Sequence, residues 1–350
     1  MPAMLPKEVM LEFLVTFFFL FANNVAVLAS DHYKPKTKNL FEHAWLWKEY
    51  PELNRMGFTC AGEDSCGNMW FGIKNGLLKY NGYLWHRLNQ GNQVNKLERI
   101  GNSLFACTTS GVFKLGPDNW SKFFPKENIQ WNTFDIHLSN SNEYWISGQH
   151  GLIKLGRKDS LLFSTKTYKD SILSMFPGHK VCEMPDTSVI EGYDSNFPLY
   201  IYDIAQDINQ NFWFSLAYRD IVKLGYVNSK PAWSYGYNIY HYTHGKFIKD
   251  TAGSLITYSH DKIYALSNNT WKTHELSRFI SSYISVQDIS ADAQGRLYAS
   301  SYGTLGVFDK GSWNFLITMR FLFQAMRIYN FLYLPKALYG LVTETTKCLA

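Results

Sequence analysis

Glu63-Asp64-Ser65-Cys66-Gly67-Asn68-Met69-Trp70-Phe71-Gly72, followed by Asn75-Gly76-Leu77-Leu78-Lys79-Tyr80, is the stretch on which the fold turns, because the chain repeats it. A second copy reads Asn102-Ser103-Leu104-Phe105-Ala106-Cys107 and then Ser110-Gly111-Val112-Phe113-Lys114-Leu115. The third is Asn142-Glu143-Tyr144-Trp145-Ile146-Ser147-Gly148 with His150-Gly151-Leu152-Ile153-Lys154-Leu155. The fourth is Asp207-Ile208-Asn209-Gln210-Asn211-Phe212-Trp213-Phe214 with Ile221-Val222-Lys223-Leu224. Weaker copies lie at Leu255-Ile256 with Ile263-Tyr264, and at Asp292-Ala293-Gln294-Gly295-Arg296-Leu297-Tyr298 with Leu305-Gly306-Val307-Phe308. Self-similarity at such a period decides an architecture before any local reading does.

Each copy has one grammar. A β-branched, apolar approach reads as a strand, as in Phe134-Asp135-Ile136-His137-Leu138. Asp or Asn with Gly then makes a turn, the side chain bonding nearby backbone and the glycine accepting positive φ. The aromatic run around Trp70, Phe105, Trp145 or Trp213 is a buried second strand, and a Gly-led third strand follows. Aromatic segments such as Tyr83-Leu84-Trp85-His86 and Asn269-Thr270-Trp271-Lys272 close the units. Four short antiparallel strands per unit make a propeller blade. No helical period of comparable strength occurs between Met56 and Asn314. The expected fold is therefore all-β: a β-propeller of six recognisable four-stranded blades over residues 56–314.

Trp70, Phe105, Trp145, Trp213, Ile256 and Tyr298 are spaced by 35, 40, 68, 43 and 42 residues. Four intervals suit a blade of about forty residues. The interval of 68 holds either an insertion, as Pro185 suggests, or a degenerate seventh blade near Val181-Cys182 and Ser188-Val189-Ile190.

The pattern Asp-x-x-Gly-Asn-x-Trp-Phe-Gly with Asn-Gly-Leu-x-Lys-Tyr resembles the two-component regulator propeller repeat, over roughly residues 56–314. That resemblance implies the extracytoplasmic sensor region of a hybrid histidine kinase, here without its own kinase output. It further implies a small-molecule or oligosaccharide ligand, and a membrane histidine kinase or another propeller as partner. Streptogramin lyase-like propellers share the Asp-x-x-Gly-x-x-Trp half, whereas the Gly-Leu-x-Lys-Tyr half favours the regulator type.

The 350 residues accommodate one propeller and little else, and no nucleotide-binding motif of a kinase module is present. Aromatic content of 17% suits blades wedged together by rings. The net charge of +5 is scattered along the chain, which offers no basic face for nucleic acid. Residues 1–29 read as a signal peptide: Lys7, the apolar run Phe13–Phe21, then Val27-Leu28-Ala29 before Ser30. Residues 30–55 read as linker and closing strand, with Ala44-Trp45-Leu46-Trp47-Lys48-Glu49-Tyr50 covering the open edge of the last blade. Over residues 315–350, Arg320, Gln324, Arg327 and Asn330 form one polar stripe on an otherwise apolar C-terminal helix ended by Pro335. That helix packs on the propeller, lies at a membrane surface or spans one. Cys60 and Cys66 flank the first turn and are the candidates for a disulfide, while Cys107 reads as core. An odd total of five, with no C-x-x-C, argues against a zinc site or a disulfide framework.

No catalytic motif is present: G-x-S-x-G, H-E-x-x-H and the Walker loop are all missing. Asp64, Asp207 and Asp292 recur at one turn position and read as turn formers. Candidate ligand-binding residues are those that vary between strands two and three: Asn75, His150, Arg219, Asp220, His260, Asp261 and Tyr302. A second candidate is the aromatic segment containing Trp233 and Tyr235, where rings could stack on sugar faces or simply form one face of a strand. No cofactor or metal is expected. The rival function is a lyase or lactone hydrolase with a channel metal, or a protein-binding scaffold.

Overall fold

A computed structural model describes residues 50–318, except 90, 116–118, 127–128, 157–159, 185–199, 217–220, 228–229, 238–244, 260–261, 276–285, 293–294, 302–303 and 310–311. The signal peptide, the linker, nearly all of the closing strand and the C-terminal helix expected from sequence lie outside these residues. The described residues belong to one compact unit.

Six sheets follow one another along the chain, each built from consecutive strands with an antiparallel set of four. Blade 1 comprises β1 (Phe58–Glu63), β2 (Met69–Ile73), β3 (Gly76–Tyr80) and β4 (Trp85–Asn89). Blade 2 comprises β5 (Val94–Ile100), β6 (Ser103–Thr108), β7 (Gly111–Leu115) and β8 (Trp120–Phe124). Blade 3 has β9 (Thr133–Leu138), β10 (Tyr144–Gly148), β11 (Gly151–Leu155) and β12 (Ser160–Thr165), with an added β13 (Lys180–Met184). Blade 4 has β14 (Ile201–Gln206), β15 (Phe212–Leu216), β16 (Ile221–Val227) and β17 (Lys230–Tyr237). Blade 5 has β18 (Ile248–Lys249), β19 (Leu255–Tyr258), β20 (Lys262–Ser267) and β21 (Thr270–Glu275). Blade 6 has β22 (Val286–Ala291), β23 (Leu297–Ser301), β24 (Thr304–Asp309) and β25 (Ser312–Thr318). The last strand runs past the boundary at residue 314 drawn from sequence, so 315–318 are strand and not helix. First strands touch from β1 through β5 and β9 to β14, and β18 touches β22, which puts them around the axis of a β-propeller.

The long interval is an insertion. After β12, helix α1 (Lys169–Met175) returns the chain so that β13 pairs parallel to β12 as a fifth strand. Parallel pairing requires a crossover, and α1 supplies it. At seven residues this helix is too short to leave a periodic signal in the sequence. Its Ile172 is fully buried with Phe176 against Phe124 and Trp131, so the insertion is docked on the seam between blades 2 and 3.

The core lies between blades. Trp70 and Leu77 pack with Val94, Leu104 and Trp120 of the next blade. Phe105 and Val112 pack with Ile136 and Ile146, and Trp145 and Phe163 with Ile204 and Phe214. Trp213 joins Phe247 and Trp271, and Ile256 joins Val286 and Ile289. The residue at the repeated position, an aromatic in blades 1–4 and Ile256 in blade 5, thus fills each of these five seams.

The two polar halves of the repeat serve that aromatic. Asp64 accepts from the backbone N–H groups of Cys66 and Asn68, both at 2.9 Å, and from Trp70 Nε1 at 2.8 Å. Asp207 does the same for Asn209, Asn211 and Trp213, and Asp292 accepts from Tyr298 Oη at 3.1 Å. Each is a turn former, as its position suggests, and also the acceptor for a buried ring donor. The lysine of Gly-Leu-x-Lys-Tyr stands directly across the ladder from the aromatic: Trp70 faces Lys79, and Trp213 faces Lys223. The ammonium lies 5.3–5.8 Å from the ring centroid in the first four blades, within cation–π reach. Blade 5 replaces the ring with Ile256, and its cross-strand partner is Ala265. Ring and cation are lost together.

Cys60 and Cys66 do not pair. Cys60 is buried on β1, whereas Cys66 is exposed on the following turn.

Candidate functional site

Antiparallel order brings the turns between strands two and three to the end where each first strand begins. Backbone bonds fasten the two there: Thr109 N–H to Gln93 O at 3.0 Å and Gln149 N–H to Asn132 O at 2.8 Å. One end of the channel is therefore built from those turns and the first residues of the inner strands. β-Bulges occur at the same point of four inner strands, between Phe58 and Cys60, Val94 and Lys96, Ile201 and Asp203, and Val286 and Asp288. On β9 the register skips Phe134, between Thr133 and Asp135. A bulge re-aims the side chain that follows it. The residues after it, with their blade 5 equivalent, are Cys60, Lys96, Asp135, Asp203, Lys246 and Asp288.

The five charged members of this inner ring form two ion-paired groups. Lys96 Nζ lies 2.6 Å from Asp135 Oδ1, 2.5 Å from Asp203 Oδ1 and 3.5 Å from Glu98 Oε2. Lys246 Nζ lies 3.4 Å from Asp288 Oδ1. The second oxygen of each blade 3 and blade 4 carboxylate holds the next blade: Asp135 Oδ2 accepts from Ile204 N at 2.8 Å, and Asp203 Oδ2 from Phe247 N at 2.6 Å. Burial works against the charge on Lys96, but Asp135, Asp203 and Glu98 outweigh it and hold its pKa well above the ordinary lysine value. Burial raises Asp135 well above the usual carboxylate range; Lys96 opposes that, and Asp203 adds to it. His137, two residues along β9, is lowered to about 4 by burial first and then by Lys249 and Lys96. It is neutral at ordinary pH.

Around this ring the mouth carries two kinds of side chain. On blades 2 and 3, Asn95 Nδ2 donates to Asn132 Oδ1 at 2.8 Å and Thr133 O at 2.7 Å, and Gln93 Nε2 reaches Asn95 Oδ1 at 3.3 Å. On blades 3 and 4, half-buried Phe134, Tyr200 and Tyr202 form an aromatic triad with centroids 5.0–6.1 Å apart. Tyr200 is bridged to Gln149 of the β10–β11 turn.

Three of the residues singled out from sequence have described side chains. Asn75 is exposed on the β2–β3 turn. His150 takes φ of 73° on the β10–β11 turn, with its ring 5.0 Å from Tyr168 and Nδ1 buried without a hydrogen-bond partner. Burial lowers its pKa. Trp233 lies on β17 against Phe163 and Phe214, at 5.9 and 5.8 Å, and so lines the seam between blades 3 and 4. Tyr235 is on the same strand, which is the strand form of that aromatic segment. Arg219, Asp220, His260, Asp261 and Tyr302 lie outside the described residues. The ionic ring and the aromatic triad were not singled out from sequence. The signal for the ring was a charge recurring four residues before the turn residue: Asp135 before Ser139, Asp203 before Asp207, Lys246 before Asp250 and Asp288 before Asp292.

Fold and site together define a six-bladed β-propeller with a polar, ion-paired inner ring. Among solved structures, the chain is similar to the extracellular domain of the hybrid two-component system BT4673 from B. thetaiotaomicron, with TM-score 0.52 and 16% identity over 75% of this chain. The equivalent domain of BT3049 matches with TM-score 0.54 and 15% identity, over 75% of this chain. Virginiamycin B lyase from Staphylococcus aureus matches with TM-score 0.52 and 10% identity, over 75% of this chain and 85% of that one. This chain spans about one third of those two extracellular domains, 33% and 34% of their lengths. At such identities the likeness is one of fold. No family model and no curated relative matches. Among the described residues, no helix is long and apolar enough to cross a membrane.

Proposed function

We propose that this chain is a ligand-recognising propeller that works outside the cytoplasm as a sensor module, and that it takes an oligosaccharide at the channel mouth. The observation that carries the reading is the pairing of a half-buried aromatic triad, Phe134, Tyr200 and Tyr202, with amide side chains on the same rim. Rings with one open face stack on the apolar face of a sugar, and amides and tyrosine hydroxyls satisfy its hydroxyl groups. The fold shared with the extracellular domains of two hybrid two-component systems supports the sensor role and the placement. Signal would pass to a membrane histidine kinase or a second propeller by rigid-body rearrangement.

Calorimetric titration with a panel of neutral hexasaccharides (maltohexaose, xylohexaose, cellohexaose) tests this reading. Phe134→Ala and Tyr202→Ala are each expected to weaken the bound glycan at least about tenfold, equivalent to about 1.4 kcal/mol. Failure of the whole panel to bind, or binding that both substitutions leave unchanged, refutes it.

A further inference from the structure

We propose that Lys96 is a tethered cation: its ammonium fills the position in the propeller channel where carboxylates of three consecutive blades would otherwise hold a divalent metal ion. Glu98 comes from blade 2, Asp135 from blade 3 and Asp203 from blade 4, and Lys96 Nζ is the point on which they converge. The distances to Asp135 and Asp203, 2.6 and 2.5 Å, are at the upper end of the calcium–oxygen range of about 2.3–2.6 Å. Both carboxylates are held from behind. Asp135 Oδ2 is fixed by Ile204 N–H and Asp203 Oδ2 by Phe247 N–H, so each presents its Oδ1 to the centre without reorganising.

Two further oxygens stand beside them. Ser147 is directly across the ladder from Asp135, and Ser215 from Asp203. Both are 0% exposed, and the hydroxyl of each lacks a hydrogen-bond partner. Orphaned buried hydroxyls next to a multiple-carboxylate centre are donors without a ligand. The set is oxygen throughout, which suits a hard ion such as calcium rather than zinc. Cys107, opposite Lys96 on the ladder, has its thiol pKa raised well above the ordinary value by burial and then Asp135, and is held protonated as a poor metal ligand. A lysine here supplies the positive charge that joins three blades, but it offers no open coordination position for a substrate or a water molecule.

The inference is independent of the glycan reading, because its test uses calcium alone on the full chain. Calorimetry is expected to detect no calcium binding to the ring in the unsubstituted protein. Lys96→Ala is expected to bind one Ca²⁺ with a dissociation constant on the order of 10⁻⁴–10⁻³ M, and to melt at a higher temperature with calcium than without. Lys96→Ala combined with Asp203→Asn should lose both effects. Three results overturn the proposal: calcium binding by the unsubstituted chain that Asp135→Asn abolishes, a folded Lys96→Ala chain that binds none, or a Lys96→Ala chain that stays unfolded with and without calcium.

Discussion

Trp70 and Trp145 occupy the same place in two copies of the repeat, yet Trp70 Nε1 donates to a carboxylate and Trp145 Nε1 is buried without an acceptor. The cause is one substitution within the repeat. Blade 3 has Ser139 where blades 1, 4 and 6 have Asp64, Asp207 and Asp292, and the serine hydroxyl caps Glu143 N–H at 3.1 Å without reaching the indole. Glu143 in turn stands where blades 1 and 4 have Asn68 and Asn211, and it pairs with Lys154 at 2.8 Å. A new aspartate at 139 would face that glutamate, so Ser139→Asp alone should gain little. Ser139→Asp with Glu143→Asn restores the blade 1 arrangement and should add about 1 kcal/mol of stability in urea unfolding, the net worth of one hydrogen bond. Asp64 also carries a pH signature. Burial would raise its pKa, but the donors Trp70, Asn68 and Cys66 outweigh burial and hold it below the ordinary 3.8. A depressed folded value means that this stabilisation is complete above the unfolded pKa and fades as the pH falls through the folded one. Asp64→Asn should therefore flatten the loss of stability below about pH 4, measured by unfolding at a series of acidic pH values.

At the scale of strands, the glycine that opens the third strand of blades 2 and 3 is fixed by its neighbour rather than by its turn alone. Gly111 has φ of 124°, and a Cβ there would lie 2.3 Å from the backbone oxygen of Phe124 on β8. Backbone cannot give way as a flexible side chain can, so Gly111→Ala should cost more than about 2 kcal/mol or open the blade 2 edge, read as a lower urea midpoint. Constraints of this kind are local and periodic, which made most of the fold legible in sequence: Gly111, Lys114 and Phe105 each recur at a fixed offset. The insertion was less legible, because α1 makes only about two turns and buries Ile172 alone. Its anchor is a contact with Phe124 and Trp131, far away in sequence. Ile172→Ala should cost roughly 2–4 kcal/mol by leaving a cavity in that seam, and protection of the β13 amides from hydrogen exchange should fall with it. The candidate site was least legible. Its ring residues differ from blade to blade, as lysine, aspartate or cysteine, and on five of the six inner strands a bulge or register skip, which sequence does not announce, aims them.

For the whole molecule, the ring makes stability depend on pH in a window separate from that of the turn carboxylates. Charged groups converge on His137 from three inner strands: Lys96 of β5, Asp203 of β14 and Lys249 of β18, with the Phe212 ring 6.3 Å away. Burial and the two ammonium groups depress its pKa from 6.5 to about 4, while Asp203 opposes them. An imidazole that is neutral when folded and free to protonate when unfolded stabilises the fold fully above pH 6.5. Below that value the unfolded chain binds the extra proton, and stability falls until the folded imidazole protonates near pH 4. The full loss approaches roughly 3 kcal/mol, at about 1.36 kcal/mol per pH unit. His150, also depressed by burial, contributes in the same direction on the β10–β11 turn, so the two must be separated by substitution. Urea unfolding between pH 7 and pH 4 should decline steeply for the unsubstituted chain, less steeply for His137→Gln, and nearly as steeply as the parent for His150→Gln. An unchanged slope in His137→Gln would mean that the inner ring tolerates a charged imidazole beside Lys96, and the tight ionic accounting around Asp135 and Asp203 would then fail with it.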